Sequence, residues 1–274
     1  MKLATIRHDA RLQPVALDGE RVVEIDAPSL EAAIAGDPDP SRWRLGRPLP
    51  SGAPITFAVP LRPGKIVAIG LNYRDHIRET GLDPPTKPLV FAKFPSSAIG
   101  PDEPIPLPRV APDQVDWEVE LAVVIGRPMR DVDPSRALEH VFGYTVGNDV
   151  SARDVQFGDV QWTRGKSFDG FCPLGPAVVT PDEVSDPQAL TLCTRVNGDT
   201  VQSSSTQEMI FGVAELLSYC SRSFSLEPGD VVLTGTPWGC GGFATPPRFL
   251  RAGDVVECEV GGIGILRNPV VGGR

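Results

Sequence analysis

Short apolar runs separated by glycine and proline turns dominate the chain beyond residue 64. Three of these runs are apolar enough for strands buried in a sheet: KIVAIGLNY (65–73), DWEVELAVVIG (116–126) and VFGYTVGNDVS (141–151). Two others, EPGDVVLTGTP (227–237) and RAGDVVECEV (251–260), repeat a Gly-Asp turn followed by β-branched residues. In TLCTRVNGDTVQS (191–203), Asn197-Gly198 predicts a hairpin. The pattern predicts a mainly β fold with a few short helices (α+β class), with a predominantly antiparallel sheet that is closed or sandwiched.

The N-terminal part of the chain has a different pattern and predicts a small unit of its own. Asp18-Gly19 precedes an alternating strand, which indicates a hairpin, and SLEAAIAG predicts a short helix from Ser29 to Gly36. Residues 37–64 contain seven prolines and no periodicity, which predicts an extended connector. We therefore expect residues 1–60 to form a small N-terminal extension with a proline-rich connector, followed by one main domain over residues 61–274.

One longer helix is predicted after residue 205. Ser205 and Glu208 have the spacing of a capping box, in which each side chain caps the backbone N–H of the other residue. The apolar residues that follow have helical spacing and predict a core-facing stripe: Met209, Ile210, Val213, Leu216 and Leu217.

Charge and cysteine usage narrow the class of protein. The chain has 26 basic and 35 acidic residues, a net charge of −9 and no long basic run, so neither nucleic acid nor an anionic membrane is expected as a partner. The N-terminus shows no signal-peptide pattern, and no stretch approaches the roughly 20 apolar residues of a membrane span. The five cysteines form no C-x-x-C pair and are expected to be buried thiols of a cytoplasmic protein.

Two glutamates on one predicted strand are the first chemical signal. Glu118 and Glu120 are two residues apart, so on a strand they lie on the same face, within an otherwise apolar segment. A solvated strand face is the commoner explanation of such a pair. The alternative is a divalent cation, which would remove the repulsion between the two carboxylates, with Asp149 as a third ligand. Because the chain has only three histidines, oxygen ligands are expected, which favours Mg²⁺, with Mn²⁺ or Ca²⁺ as alternatives.

A histidine–glutamate pair and two loop residues are further candidates. In GLNYRDHIRE (70–79), His76 and Glu79 are at i and i+3, so on a helical turn the carboxylate can orient the imidazole and raise its basicity. A surface histidine beside a glutamate is the alternative explanation. Lys166, in a loop rich in glycine and proline, either holds a carboxylate or is solvated, and Thr236 places a hydroxyl in a turn at a strand end.

One apparent dinucleotide-binding motif is rejected. Residues 239–244 (GCGGFA) fit G-x-G-x-x-A after a strand, but Thr245-Pro246-Pro247 follow where the phosphate-binding helix would have to start. The residues beyond this point are also too few for the rest of a βαβ unit.

Eight segments occur in the order found in the fumarylacetoacetate hydrolase (FAH) family, which the chain resembles. They cover residues 65–268 almost without a gap: GLNYRDHIRETG, PLVFAKFPSS, DWEVELAVVIG, GYTVGNDVSARDVQ, QWTRGKSFDGFCPLGP, SSSTQEMIFGVAELLSYCS, LEPGDVVLTGTPWG and PPRFLRAGDVVECEVGGIGILRN. The resemblance is to the short-chain bacterial members and implies a mixed β-sheet roll with a small N-terminal domain, a homodimer, and a divalent metal at the mouth of the sheets. The loop TPWGCGGFATPP departs from the commoner valine- and methionine-containing loop of the family.

The resemblance also implies roles for particular residues. The residues at the family's metal-carboxylate positions are Glu118, Glu120 and Asp149. The residues at the positions of its catalytic pair, on a loop that orders over the substrate, are His76 and Glu79. Residues at positions that line the substrate are Arg153, Gln156, Lys166 and Thr236.

These residues together suggest a metal-dependent hydrolase that cleaves the C–C bond of a 2,4-dioxo acid such as an acylpyruvate or a fumarylpyruvate. The metal would stabilise the enolate left when the C3–C4 bond breaks, His76 would activate water, and Lys166 would neutralise oxyanion charge as a third catalytic residue. The same enolate would serve decarboxylation of an oxaloacetate-type acid or isomerisation of a 2-hydroxy-2,4-dienedioate, and the sequence does not separate these reactions. A non-catalytic metal- or ligand-binding β-protein is the rival of another class, against which the presence of His76 and Glu79 argues.

Overall fold

The computed structural model describes residues 1–9, 11–19, 21–50 and 52–273. The strands are β1 (Lys2–His8), β2 (Arg11–Asp18), β3 (Arg21–Ile25), β4 (Leu45–Pro48), β5 (Thr56–Phe57), β6 (Ile66–Gly70), β7 (Leu89–Lys93), β8 (Ala98–Ile99), β9 (Ile105–Pro106), β10 (Val115–Asp116), β11 (Val119–Ile125), β12 (Val141–Asn148), β13 (Ser151–Ala152), β14 (Cys172–Val179), β15 (Thr191–Val196), β16 (Asp199–Ser205), β17 (Val231–Leu233), β18 (Val255–Val260) and β19 (Gly264–Val271). The helices are α1 (Leu30–Gly36), α2 (Arg74–Thr80), α3 (Pro134–Ala137), α4 (Arg153–Gly158) and α5 (Val213–Ser223). The predicted class, mainly β with a few short helices, is confirmed.

Twelve strands form one large mixed sheet. Its main path runs β4-β3-β2-β1-β14-β12-β11-β17-β6-β7, with β5 paired to β1 and β8 paired to β14. Most neighbours are antiparallel, whereas β17 runs parallel to β6 and β8 runs parallel to β14. A second sheet has the order β16-β15-β18-β19-β9, and β10 pairs with β13.

Strand β11 lies in the middle of the large sheet and is buried on both faces. Its odd-numbered residues from Val119 to Ile125 belong to an apolar cluster that also contains residues of the second sheet and of α5. Ala122 and Val124 belong to a second cluster, which includes two residues of α1. Since burial of a valine or leucine side chain contributes roughly 1.5–3 kcal/mol, these two faces fix the strand firmly. The packing of this strand therefore also fixes the position of the two glutamates that precede Ala122.

The N-terminal elements largely follow the predicted pattern. Asp18-Gly19 lies in the turn between the paired strands β2 and β3, and α1 begins directly after its N-cap Ser29. The predicted connector over residues 37–64 is extended, but it also contributes β4, which pairs with β3, and β5, which pairs with β1. Because β1 pairs with β14, the N-terminal strands extend the large sheet. A division of the chain near residue 60 stays a prediction.

The long helix begins at Val213 instead of directly after Ser205, so the capping-box prediction is wrong. Ser205 caps a single 3₁₀ turn only. The backbone that follows is held by Asn72, whose side-chain oxygen accepts from the Phe211 N–H at 2.9 Å and whose amide donates to the Phe211 carbonyl at 3.1 Å. These groups are therefore unavailable for a helix, and the Gln188 side chain instead accepts from the Val213 N–H at 2.7 Å.

The predicted hairpin at Asn197-Gly198 is confirmed. The two residues connect β15 and β16 with φ angles of 54° and 86°, the left-handed conformations of a two-residue hairpin turn. Within the described ranges, the structure contains no helix with both the length and the apolarity needed to cross a bilayer.

Candidate active site

Three buried carboxylates meet where β11 begins and β12 ends. The predicted strand over 116–126 is interrupted, because β10 pairs with β13 and β11 starts only at Val119. The Asp149 N–H donates to the Glu118 carbonyl at 2.9 Å, which holds the two segments together across this interruption. As a result, one carboxylate oxygen from each of Glu118, Glu120 and Asp149 lies within 4.8 Å of the others. The alternative of a solvated strand face is excluded, because all three side chains are buried.

Two buried lysines contact this carboxylate cluster. Lys166 Nζ lies 2.8 Å from Glu118 Oε2 and 2.7 Å from Asp149 Oδ2, so the lysine holds carboxylates and is not solvated. Lys93 Nζ lies 2.5 Å from Asp149 Oδ1. Burial alone would lower the pKa of Lys166, but Asp149 and Glu118 raise it above its usual value. Asp149 is thus balanced by two ammonium groups.

The two glutamates differ in what balances their charge. Burial alone would raise the pKa of Glu118, but Lys166 and Arg153 lower it to about 2. Among the residues that the structure describes, no lysine or arginine pairs with Glu120, whose Oε2 accepts from the Gly235 N–H at 2.6 Å. Burial and the nearby acidic groups raise the pKa of Glu120 well above its usual value. One unbalanced buried carboxylate within an all-oxygen donor set fits a hard divalent cation such as Mg²⁺.

The predicted histidine–glutamate pair forms on helix α2. His76 Nδ1 lies 2.8 Å from Glu79 Oε2, and the two side chains are 7% and 16% exposed, which excludes the surface alternative. Glu79 Oε1 accepts from the Gly239 N–H at 2.8 Å, so the carboxylate is itself held in place. Because Nδ1 is engaged by Glu79, Nε2 is the nitrogen that can exchange a proton with a substrate. The pair has the geometry of an oriented general base.

Two contacts to other elements and a glycine C-cap fix helix α2 in this position. The Asn72 amide, just before the helix, donates to the Thr234 carbonyl at 2.8 Å. The Ser204 hydroxyl donates to Asp75 Oδ2 at 2.5 Å. Gly81 ends the helix with φ of 68°, a conformation that glycine adopts without strain. Hydrogen bonds therefore hold helix α2, which carries His76, to the C-terminal ends of β16 and β17.

Arg153 is oriented by two carboxylates. Its Nη1 lies 2.7 Å from Glu118 Oε1, and its Nε and Nη2 both lie 2.8 Å from Asp116 Oδ2. The same Nη1 donates to Gln156 Oε1 at 2.9 Å. Asp116 also accepts from the backbone N–H groups of residues 241 and 242, each at 2.8 Å. Asp116 therefore positions the guanidinium relative to the loop that follows β17.

A cavity of about 110 Å³ connects these groups. Its polar lining comes from His76, Glu118, Arg153, Gln156, Lys166 and Thr236. Its apolar lining includes Phe91, Phe157, Trp162 and Phe243. Glu79 lines a separate cleft instead. Six of the nine sequence-predicted site residues therefore line one small space, whereas Glu120 and Asp149 reach it only through their contact with Glu118 in the carboxylate cluster.

Sequence patterns indicated neither Lys93 nor Asp116 as part of the site. A signal exists for Lys93, because β7 alternates and places Lys93 on the same inward face as Phe91. No comparable signal exists for Asp116, whose role depends on loop backbone far away in the chain.

Comparison with known proteins identifies the family. Residues 65–271 match the fumarylacetoacetate (FAA) hydrolase C-terminal family. The chain belongs to the fumarylacetoacetate hydrolase family. Over 220 residues, which are 79% of this chain and 70% of the relative, the FAH-family chain is 50% identical to the mitochondrial oxaloacetate tautomerase FAHD2A of Bos taurus. Two solved structures cover 100% of both chains: fumarylacetoacetate hydrolase from Exiguobacterium antarcticum (39% identity, TM-score 0.87) and 5-carboxymethyl-2-hydroxymuconate delta-isomerase from Mycobacterium smegmatis (40% identity, TM-score 0.83).

Membership of the FAH family confirms the resemblance seen in the sequence. FAH-family proteins are enzymes that act on small molecules and usually bind a divalent metal, and the carboxylate cluster could hold one. The relatives carry the names of a tautomerase, a hydrolase and an isomerase, so their names alone do not select one reaction. The roles of individual residues stay predictions.

Proposed function

We propose that this protein is a metal-dependent tautomerase that interconverts the enol and keto forms of a small 2-oxo dicarboxylic acid of the oxaloacetate type. The observation that carries the proposal is the cavity lined by the oriented His76, by two buried cations and by Glu118 of the carboxylate cluster. Its volume of about 110 Å³ is far below the roughly 300–1,000 Å³ of sites for drug-sized ligands, which favours a very small substrate. The 50% identity to a protein named as an oxaloacetate tautomerase supports the same reaction.

The charges around the cavity favour an anionic substrate. Arg153 and Lys166 line it and are held charged by buried carboxylates, so they can attract the carboxylates of a diacid. The apolar walls formed by Phe91 and Phe243 exclude water and strengthen these interactions. A divalent cation held by Glu118, Glu120 and Asp149 would polarise the 2-oxo group of such a substrate.

The conversion of enol to keto requires one proton to reach C3 and one to leave the 2-hydroxyl. His76 in its protonated form would deliver the proton from Nε2 to C3. The 2-hydroxyl proton leaves to solvent, and His76 is reprotonated for the next cycle. Glu79 keeps the imidazole oriented through its contact with Nδ1. The keto-to-enol direction runs through the same groups in reverse.

Hydrolysis of the C3–C4 bond of a 2,4-dioxo acid is the second candidate function. The observation that favours it is the same buried His76–Glu79 pair, which could instead accept a proton from water. Decarboxylation requires no attacking water, so it makes less use of this base. Isomerisation of a hydroxydienoate would use His76 for proton transfer, as tautomerisation does.

The test is a side-by-side assay with saturating Mg²⁺. The decay of the enol absorbance of oxaloacetate, the cleavage of an acylpyruvate and the release of CO₂ are measured with the same enzyme preparation. We expect enol–keto conversion to be the fastest reaction, and His76→Ala to lower its kcat by roughly 10²–10⁴-fold, the usual effect of removing a positioned base or acid.

His8→Ala is the matched control, because His8 lies on β1, outside the lining of the cavity. The control should retain full activity. If wild-type enzyme cleaves acylpyruvate but does not accelerate enol decay over buffer, the hydrolase alternative replaces the tautomerase. Equal activity of His76→Ala and His8→Ala on oxaloacetate would contradict the role of His76.

A further inference from the structure

We infer that His76, Glu79 and Cys240 form a second metal site, which takes a softer divalent cation of the Zn²⁺ type. One possible ligand atom from each residue lies within 4.8 Å of the other two. His76 and Glu79 come from helix α2, and Cys240 comes from the loop after β17. The Glu79–Gly239 hydrogen bond of 2.8 Å ties these two segments together directly beside Cys240. The site is distinct from the carboxylate cluster in every ligand.

The donor set has the chemistry of an open zinc site. Zinc takes a thiolate sulfur at about 2.3 Å, an imidazole nitrogen at about 2.0–2.1 Å and a carboxylate oxygen at about 2.0–2.2 Å, with a fourth position for water. At tetrahedral angles these bond lengths separate the donor atoms by about 3.4–3.6 Å. The three side chains therefore need movements of only about 1 Å from donors that already lie within 4.8 Å. The negative charges of Glu79 and of a Cys240 thiolate balance a 2+ ion.

The contacts of the Cys240 sulfur are weak enough to leave it available to a metal, and because burial raises the pKa of its thiol, the sulfur–metal bond must drive the loss of the proton. Among the described residues, the polar contacts of its sulfur are with Gln202 Nε2 and the Pro237 carbonyl, both at 3.8 Å. Such long contacts are weak, so little is lost when a metal replaces them. The thiol proton leaves to solvent as the sulfur–metal bond forms. Glu79 and Cys240 line a cleft of about 970 Å³, through which an ion can enter without passing the substrate cavity.

The two metal sites should prefer different cations, the carboxylate cluster a hard one and the second site a softer one. The all-oxygen cluster of Glu118, Glu120 and Asp149 suits Mg²⁺, whereas the set of sulfur, nitrogen and oxygen ligands suits Zn²⁺. A cation on His76 and Glu79 either occupies Nε2, which carries the proton, or replaces the Nδ1–Glu79 hydrogen bond that orients the imidazole, and either change stops proton transfer. Zinc is therefore expected to inhibit the enzyme while Mg²⁺ still fills the carboxylate cluster.

The test uses the full chain saturated with Mg²⁺ and Co²⁺ as a spectroscopic substitute for Zn²⁺. A cobalt–thiolate bond gives a charge-transfer absorption in the near ultraviolet, which an all-oxygen site cannot produce. We expect this absorption to saturate at one equivalent, to disappear on addition of Zn²⁺ and to be absent from Cys240→Ala. Cys220→Ala is the matched control, because Cys220 is equally buried but lies on α5, and it should retain the absorption.

Inhibition gives a second readout. In wild type and Cys220→Ala, Zn²⁺ should inhibit in the presence of excess Mg²⁺, and Cys240→Ala should require at least about tenfold more Zn²⁺ for half inhibition, a change of about 1.4 kcal/mol in binding. If Cys240→Ala does not fold by circular dichroism, Cys240→Ser, which preserves the side-chain volume, replaces it in both measurements. The inference is overturned if wild type shows no thiolate absorption, or if that absorption and the sensitivity to zinc both persist in the Cys240 variant.

Discussion

Replacing Glu120 by glutamine should stabilise the metal-free protein and abolish its stabilisation by Mg²⁺. Glu120 is 1% exposed, and acidic oxygens of Glu118 and Asp149 lie within 4.8 Å of its own. At an effective dielectric constant near 20, two unit charges at 4.8 Å repel by about 3.5 kcal/mol, an effect that Lys166 partly offsets. Glutamine keeps the shape and an acceptor for the Gly235 N–H. We therefore expect the variant to gain about 1–3 kcal/mol in unfolding free energy at neutral pH.

The Glu120 carboxyl also determines how the stability of the metal-free protein depends on pH. Because the folded-state pKa of Glu120 is raised, the folded state binds its proton more tightly than the unfolded state does. The protonated Glu120 side chain therefore stabilises the folded state fully below about pH 4.5. As the pH rises toward the raised pKa, the unfolding free energy falls by up to about 1.4 kcal/mol per pH unit. Glu118 acts in the opposite sense, since its lowered pKa of about 2 gives stability that is lost only in acid. In Glu120→Gln, the unfolding free energy of the metal-free protein should therefore fall less as the pH rises.

Differential scanning calorimetry with and without Mg²⁺, between pH 5 and pH 8, measures both effects. At about 100 times the dissociation constant, a ligand stabilises the folded state by about 2.7 kcal/mol, which for a domain of this size raises Tm by about 5–10 °C. Wild type and the control Glu139→Gln, whose exposed side chain pairs with Arg136 on the same turn, should show this rise. A normal rise in Glu120→Gln, or a metal-free variant less stable than wild type with an unchanged pH profile, would refute the reasoning.

Three further predictions follow from the contacts of the site. Exhaustive removal of metal with EDTA should abolish activity, and Mg²⁺ or Mn²⁺ should restore it; full activity with a verified metal content of nil would contradict the assignment. His76→Ala should leave the Mg²⁺-induced rise in Tm unchanged, because His76 lies outside the carboxylate cluster, and calorimetry that shows the rise lost would place His76 among the ligands. Asp116→Asn should raise KM at least about tenfold with a smaller effect on kcat, because it weakens the charge-assisted hydrogen bond and the ion-pair contact that orient Arg153; steady-state kinetics that show an unchanged KM would remove Asp116 as a positioning residue.

The sequence predicts the strands well because their signal is local. The run from Val119 to Ile125 and the Asn197-Gly198 turn contain the information for their own structure, and both form as expected. The helix after Ser205 is predicted wrongly because its start is decided by Asn72, which is distant in the chain and takes the backbone groups that a helix would need. A prediction from local helix propensity takes no account of a distant residue that binds the same backbone groups.

The same difference between local signals and contacts distant in the chain applies to the candidate site. The spacing of His76 and Glu79 is local, so their contact could be predicted, whereas the contact of Lys93 with Asp149 joins residues 56 positions apart. The convergence of Glu118, Glu120 and Asp149 depends on the pairing of β11 with β12. Physical reasoning from the residues could suggest this convergence, but the resemblance to a known family specified it.

The presence of two glutamates at the start of a buried strand follows from the charge of the site as a whole. The carboxylates are Asp116, Glu118, Glu120 and Asp149, and the cations that pair with them are Lys93, Arg153 and Lys166. The protein therefore satisfies all but one of these buried charges, and Glu120 is the one that remains. With Glu120 ionised, a divalent cation would change the sum from −1 to +1, which would stabilise the fold and attract the dianionic substrate proposed above. The same electrostatics predict an order of binding: a metal would bind to the negative site first, and a diacid would bind to the positive site that results.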